Sequence, residues 1–289
     1  MLAPITQRIT VFLLKLLPAR AMGRFIYRLS RSERPWLKDY LIRGFSWFYN
    51  VNLHEAEKRA PAEYPSFNAF FTRTLKSGMR PIDERTDSIV CPADGTIAQT
   101  GVAAGEQMLQ AKGMHFSASA LLGDREMAAQ MRDCAFATIY LAPYNYHRLH
   151  MPLDGQLVKT IFIPGLLYSV NAATTATVPD LYAVNERLVC CFNSPQGPFT
   201  MTLVGAMNVA SISTSWGGEI KPPANGKPIL TDYSQQQNAP MLHRGDYMGH
   251  FNMGSTIVFM APPGICQWEA ELESGELVRV GQRIGSIQN

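Results

Sequence analysis

Apolar residues follow two different textures along this chain. Within residues 5–17, Ile5, Ile9, Phe12, Leu13, Leu16 and Leu17 keep helical spacing, with Gln7, Arg8 and Lys15 mostly off the stripe. Pro18 then ends or bends the run. The pattern returns in Leu37, Tyr40, Leu41, Gly44, Phe45 and Phe48, flanked by Arg34, Lys38 and Arg43 and accompanied by Trp36 and Trp47. From about residue 88 the texture changes to short β-prone runs broken by Gly, Pro and Asn: 135–142, 156–163, 187–192, 199–205, 209–214 and 256–261. One helical stretch, 118–131, carrying Leu121, Leu122, Met127 and Met131, interrupts them. Residues 217–252 are rich in Gly, Pro, Asn and Gln and read as loop or irregular structure that delivers the chain to Gly254 and Ser255. The expected fold class is α+β: N-terminal amphipathic helices, over residues 1–75, on a β-rich core of sandwich or barrel-sandwich-hybrid type, over 76–289.

Charge divides the chain at the same place. Residues 1–80 hold 14 Lys and Arg against 5 Asp and Glu, or +9, and residues 81–289 hold 12 against 18, or −6. An aromatic, basic helical pair can lie in a lipid interface or pack on a core with its charges solvated, and the pattern alone leaves both open. Nucleic-acid binding is the weaker reading, because no helix-turn-helix, RNP or zinc signature accompanies the basic residues. No window approaches the ~20 apolar residues that cross a bilayer, so the chain is expected neither to span a membrane nor to be secreted. Five cysteines at spacings with no CxxC pair fit a reducing compartment better than a disulfide framework or a zinc site.

Three segments could carry chemistry: Pro92-Ala93-Asp94-Gly95, Tyr146-His147-Arg148-Leu149-His150-Met151-Pro152, and Met253-Gly254-Ser255-Thr256. They supply an acid, histidines and a hydroxyl, the set that activates a serine nucleophile. Taken singly, each has a plain structural explanation: a turn pair, structural or metal-binding histidines, the opening of a strand. A Gly-x-Ser-x-Gly elbow, as an ordinary serine hydrolase would place around its nucleophile, is missing. Residues 278–285 and 92–97 have the Gly-punctuated short-strand look of lipoyl-type carrier domains, but Lys112, Lys159 and Lys227 lack the turn context of a modified lysine.

Taken together and in order, these segments resemble the phosphatidylserine decarboxylase family. Pro164-Gly165, the 168–171 stretch and Asn185-Glu186-Arg187 join them, so that the resemblance covers nearly the whole chain. Met253 stands where the family usually has Leu before Gly-Ser-Thr, a swap of similar volume. The resemblance implies a self-cleaving decarboxylase of phosphatidylserine. By that resemblance Ser255 is expected to attack the carbonyl of Gly254, with His150 as its base and Asp94 orienting His150. The resemblance further implies that Ser255 becomes a covalent pyruvoyl group that forms a Schiff base with the substrate amine, with neither pyridoxal phosphate nor metal expected. The large chain 1–254 and small chain 255–289 stay together, with a homo-oligomer of that unit allowed. His147 is the candidate proton donor or substrate contact. The implied setting is peripheral, on the cytoplasmic face of the inner membrane, with phosphatidylserine in the membrane as partner and no nucleic acid.

Overall fold

The computed structural model describes residues 19–206, 211–223 and 225–288, so the helix expected over 5–17 lies outside the described residues. A helix not foreseen, α1 (Ala19–Ser30), follows Pro18 directly. Next comes α2 (Pro35–Tyr49), with Pro at its first turn and Asn50 in the left-handed region at its C-cap, both ordinary helix punctuation. The short α3 (Phe67–Phe71) is N-capped by Ser66. The helical stretch expected over 118–131 is two helices, α4 (Ala118–Leu122) and α5 (Arg125–Gln130). Gly123 ends the first in the left-handed region, and the Asp124 carboxylate caps the second by accepting from the Met127 N–H.

Eighteen strands follow one another among the described residues. They are β1 (Ser88–Val90), β2 (Gly95–Val102), β3 (Gln107–Ala111), β4 (Met114–Ser117), β5 (Ala135–Leu141), β6 (Arg148–His150), β7 (Gly155–Ile163), β8 (Arg187–Ser194) and β9 (Gly197–Gly205). Then come β10 (Ile212–Thr214), β11 (Gly218–Ile220), β12 (Ile229–Asp232), β13 (Met241–Leu242), β14 (Tyr247–Phe251), β15 (Ser255–Ala261), β16 (Cys266–Trp268), β17 (Leu277–Val278) and β18 (Arg283–Ile287). The main sheet runs β12-β7-β8-β9-β15-β5-β2-β17, with β13 also on β7; beside it lie β11-β10-β14-β6, β1-β18-β16 and the β3-β4 hairpin. The described sheets are open and no barrel closes, so the β-rich core is a stack of sheets. The 217–252 stretch, read from its composition as irregular, contributes β11 to β14. Its strands are only two to five residues long, too short for a period to show, and β12, β13 and β14 find partners in β7 and β6, far away in sequence.

Both faces of the main sheet are buried, so alternation along a strand divides side chains between two cores rather than between core and water. On β15, Ile257, Phe259 and Ala261 enter one core while Val258 and Met260 enter the other. On β8 the adjacent Cys190 and Cys191 likewise point to opposite cores, which accounts for two buried free thiols side by side in sequence. A third apolar cluster, Ile42, Val51, Tyr64, Phe67, Phe70 and Phe71, joins α2 to α3.

Candidate active site

The main sheet brings the segments flagged in the sequence to one of its ends. Ser255 opens β15 between Leu141, the last residue of β5, and Gly205, the last of β9. On the far side of β5, β2 starts at Gly95, just after Asp94. Gly95 must lack a side chain, because a Cβ there would stand 2.5 Å from the Tyr140 carbonyl oxygen. With β5 between them, the strands that begin near Asp94 and Ser255 are separated by roughly 10 Å, two strand spacings.

The chain leaving β5 makes the tight turn 142–145, in which the Ala142 N–H donates to Asn145 Oδ1 at 2.7 Å, and then enters β6. The Arg73 guanidinium steadies this turn by donating to the Tyr144 and Asn145 carbonyls at 3.1 and 3.3 Å. Arg148 does the same for the other side by donating to the Thr72 carbonyl. His150 closes β6, its backbone N–H donating to the Pro92 carbonyl at 2.8 Å, so the Asp94 turn and His150 are bonded neighbours through their backbones.

Their side chains do not pair. The Asp94 carboxylate, 5% exposed, accepts two hydrogen bonds from Arg80 Nε at 2.8 and 3.0 Å, another from its Nη2, and one from the Val280 N–H at 2.9 Å. Arg80 Nη2 also reaches Glu55 at 2.7 Å. Burial works against the Arg80 charge, but the bonds to Asp94 and Glu55 outweigh it and hold its pKa raised. His150 Nδ1 lies 2.8 Å from the Gly245 carbonyl oxygen instead. A carbonyl only accepts, so Nδ1 carries the proton and Nε2 is left with its lone pair. The Tyr146 hydroxyl is 3.2 Å from Nε2 and donates to it. The orienting bond expected from Asp94 is thus supplied by a backbone carbonyl 95 residues away. Burial, then the Arg148 charge, lower the His150 pKa, while the Gly245 bond and the Asp94 charge oppose them.

His147 takes a different place. It is fully buried, its ring stacked on Phe71 with centroids 4.0 Å apart, and Nε2 is 3.4 Å from the Pro143 carbonyl. Its Nδ1 has no partner among the described residues. Burial, with Arg73 nearby, pushes its pKa down to about 3, so it is neutral at physiological pH.

Residues immediately before Ser255 form an elbow. Met253 has φ +106° and Gly254 φ +34°, both in the region that favours glycine. Met253 also faces an apolar groove of about 430 Å³ walled by α1 and α2, with Leu29, Leu41, Gly44, Phe45 and Phe67 around it. Tyr40 and Phe48 stand at the exposed rim of that groove, and outside it α2 exposes Trp36 and Trp47, at 69% and 84%. The expected stripe is therefore graded: Leu41 and Phe45 pack against the third cluster, while Tyr40 and Phe48 line the groove but stay exposed.

Sequence reading missed Tyr146, although it lies within a flagged segment, as well as Arg80 and the Tyr247–His250 pair. Tyr247 Oη bonds His250 Nδ1, and the Arg148 guanidinium sits 5.1 Å from the Tyr247 ring centre. Among the described residues no group of three His, Cys, Asp or Glu is placed to hold a metal.

Nearly the whole chain is similar to known proteins. The family model for phosphatidylserine decarboxylase matches residues 67–286, and a second model, described as PSD, matches 9–50. A phosphatidylserine decarboxylase proenzyme from Methylococcus capsulatus is 44% identical over 274 residues, 94% of each chain. One from Ectopseudomonas mendocina is 44% identical over 98% of this chain and 99% of its own. One from Alkalilimnicola ehrlichii is 48% identical over 84% of both.

Proposed function

This chain belongs to the phosphatidylserine decarboxylase family, and from that membership we propose that it converts phosphatidylserine to phosphatidylethanolamine and carbon dioxide after cutting itself between Gly254 and Ser255. In this reading Ser255 Oγ attacks the Gly254 carbonyl carbon and the peptide nitrogen leaves, giving an ester and a free amine on residue 255. Loss of the Ser255 Cα proton then breaks the Cβ–Oγ bond, frees Gly254 as a carboxylate and leaves a dehydroalanine. This tautomerises to an imine, and one water exchanges nitrogen for oxygen, releasing ammonia and leaving a pyruvoyl group at residue 255.

The observation that carries the reading is the tautomer of His150. Its unprotonated Nε2, beside the Tyr146 hydroxyl, is a base held at the end of the sheet where β15 begins, and burial favours its neutral form. Nδ1–H stays on the Gly245 carbonyl and stabilises the cation that results. Asp94 contributes its charge without a hydrogen bond to the ring, and with Arg80 it braces the turn beside His150. Tyr146 relays that proton: its hydroxyl takes the proton of Ser255 Oγ as it passes its own to Nε2. His147 is assigned to the headgroup side of the reaction, as the buried neutral ring of the 142–147 turn.

A pyruvoyl group suits this position. Residue 255 opens an interior strand paired along β5 and β9, so the small chain 255–289 stays anchored to the large chain 1–254 after the cut. When present, the group supplies a carbonyl that binds the substrate amine and accepts the electron pair as carbon dioxide leaves. The chain's own residues bind the lipid: the α1–α2 groove takes an acyl chain, with Met253 joining it to the scissile bond. The outward aromatic residues of α2 and the +9 charge of residues 1–80 seat the protein on an anionic membrane surface, which we assign to the cytoplasmic face. No described helix is long and apolar enough to cross.

Intact mass and liposome assays test the reading. Purified protein should show two polypeptides, the smaller starting at residue 255, lacking a terminal amine and reacting with carbonyl reagents, and should release carbon dioxide from phosphatidylserine without added pyridoxal phosphate. Ser255→Ala should give one uncut, inactive chain. A free amine on residue 255 of active enzyme would overturn the mechanism.

A further inference from the structure

The elbow before Ser255 is held by a polar clamp that the self-cleavage chemistry does not itself require. Asn252 is 2% exposed, and every hydrogen-bonding group of its side chain is occupied. Its Nδ2 donates to the Ser211 and Ser213 hydroxyls, each at 2.9 Å, and its Oδ1 accepts from Asn68 Nδ2 at 2.9 Å. Its backbone N–H donates to the Ser211 carbonyl at 2.9 Å. The clamp is itself braced. Ser211 Oγ donates to Glu219, and Arg31, directly after α1, donates to the same carboxylate at 2.8 Å and to Ser211 Oγ at 3.4 Å.

The next two residues show what this fixation accomplishes. Met253 carries a Cβ at φ +106°, a conformation that a free chain would leave, and Gly254 follows at +34°. On one side the turn is pinned by Asn252. On the other it runs into β15, whose pairing with β5 and β9 starts at Ser255. A strained turn pinned at both ends sets the direction in which the Gly254 carbonyl faces. An amide suits the first pin because it supplies two donors and an acceptor at once, and in the buried site it adds no charge.

We propose that Asn252 is a positioning residue for self-cleavage: clamped between Asn68, Ser211 and Ser213, it holds the Met253–Gly254 turn in the conformation that presents the scissile carbonyl to Ser255. This rests on the self-cleavage reading above. Attack within one peptide unit depends on geometry more than on affinity, and misplacement of reacting atoms by about an ångström lowers rates on the order of 100-fold. Asn252→Ala should therefore slow conversion of full-length precursor by roughly ten- to a hundredfold. Met253→Gly removes the steric reason for leaving positive φ, so Asn252→Ala/Met253→Gly should recover much of that rate.

The test follows freshly synthesised precursor on a denaturing gel for the wild type, Asn252→Ala and the double variant. In parallel, thermal melts compare Ser255→Ala with Ser255→Ala/Asn252→Ala, where cutting cannot intervene. Slow cutting by Asn252→Ala, similar melting and rescue by glycine at 253 support the proposal. Cutting at the wild-type rate overturns it, as does slow cutting that tracks a large fall in melting temperature and is not rescued, since Asn252 is then only structural. A wild-type chain that stays whole overturns the underlying self-cleavage reading instead.

Discussion

Asp94→Asn separates two roles that one carboxylate could play beside a histidine. The charge of Asp94 is spent on Arg80: three of its four hydrogen bonds come from that guanidinium, and the two side chains are 7% and 10% exposed. Removing one charge of a buried pair costs about 3–5 kcal/mol, because the partner is left uncompensated. Glu55 remains on Arg80 at 2.7 Å, so the loss should lie at the low end, about 3 kcal/mol. Urea unfolding of Ser255→Ala with and without Asp94→Asn measures it free of any effect of cutting. Adding Arg80→Met completes a double-mutant cycle, in which the two substitutions should be strongly non-additive. A loss below about 1 kcal/mol, the range of exposed pairs, would refute the anchoring argument and return the carboxylate to His150.

His150→Gln, which keeps a hydrogen-bonding side chain but no base, should slow self-cleavage by about 100-fold or more on a precursor gel; near-normal cutting would remove His150 from the mechanism. For the wild-type precursor, cutting should persist somewhat below pH 6.5, because burial lowers the His150 pKa and the base stays neutral there. His147 and His250, held down to about 3 and about 4 chiefly by burial, stay neutral in the fold while the unfolded chain protonates near 6.5. The unfolded chain then binds more protons below that pH, so their stabilisation is complete above 6.5 and should fall by about 2 kcal/mol for each group by pH 5, read from denaturation midpoints of Ser255→Ala. Gly44 faces the groove with open space where a Cβ would go, so Gly44→Leu should raise KM for long-chain phosphatidylserine while melting is unchanged or improved by the better helix former; unchanged KM would mean the groove holds no acyl chain.

The sequence by itself determined what depends on local pattern. Short β-prone runs bounded by Gly, Pro and Asn located β5, β7, β8, β9 and β15 to within about two residues, and the aromatic repeat located α2, because residue preference and helical period both act within a few residues. The ordered Asp94, His150 and Ser255 segments were legible for the same reason: each is a short contiguous motif. Gly123-Asp124, a left-handed stop followed by an N-cap, breaks α4 from α5 inside an apolar repeat that continues across both helices and masks it. Tertiary structure alone decided the rest. Within 217–252, β12 and β13 form on β7, β14 on β6 and β10, and β11 on β10, and which faces of α2 meet α3 or open water is set by what packs against it. The polar partnerships lie furthest from local pattern. Arg80 rather than His150 takes Asp94, Gly245 takes His150, and Asn68, Ser211 and Ser213 take Asn252. A hydrogen bond is won by whichever donor or acceptor the folded backbone carries within about 3 Å, and residues up to 184 positions apart have no spacing rule by which the chain could announce the winner.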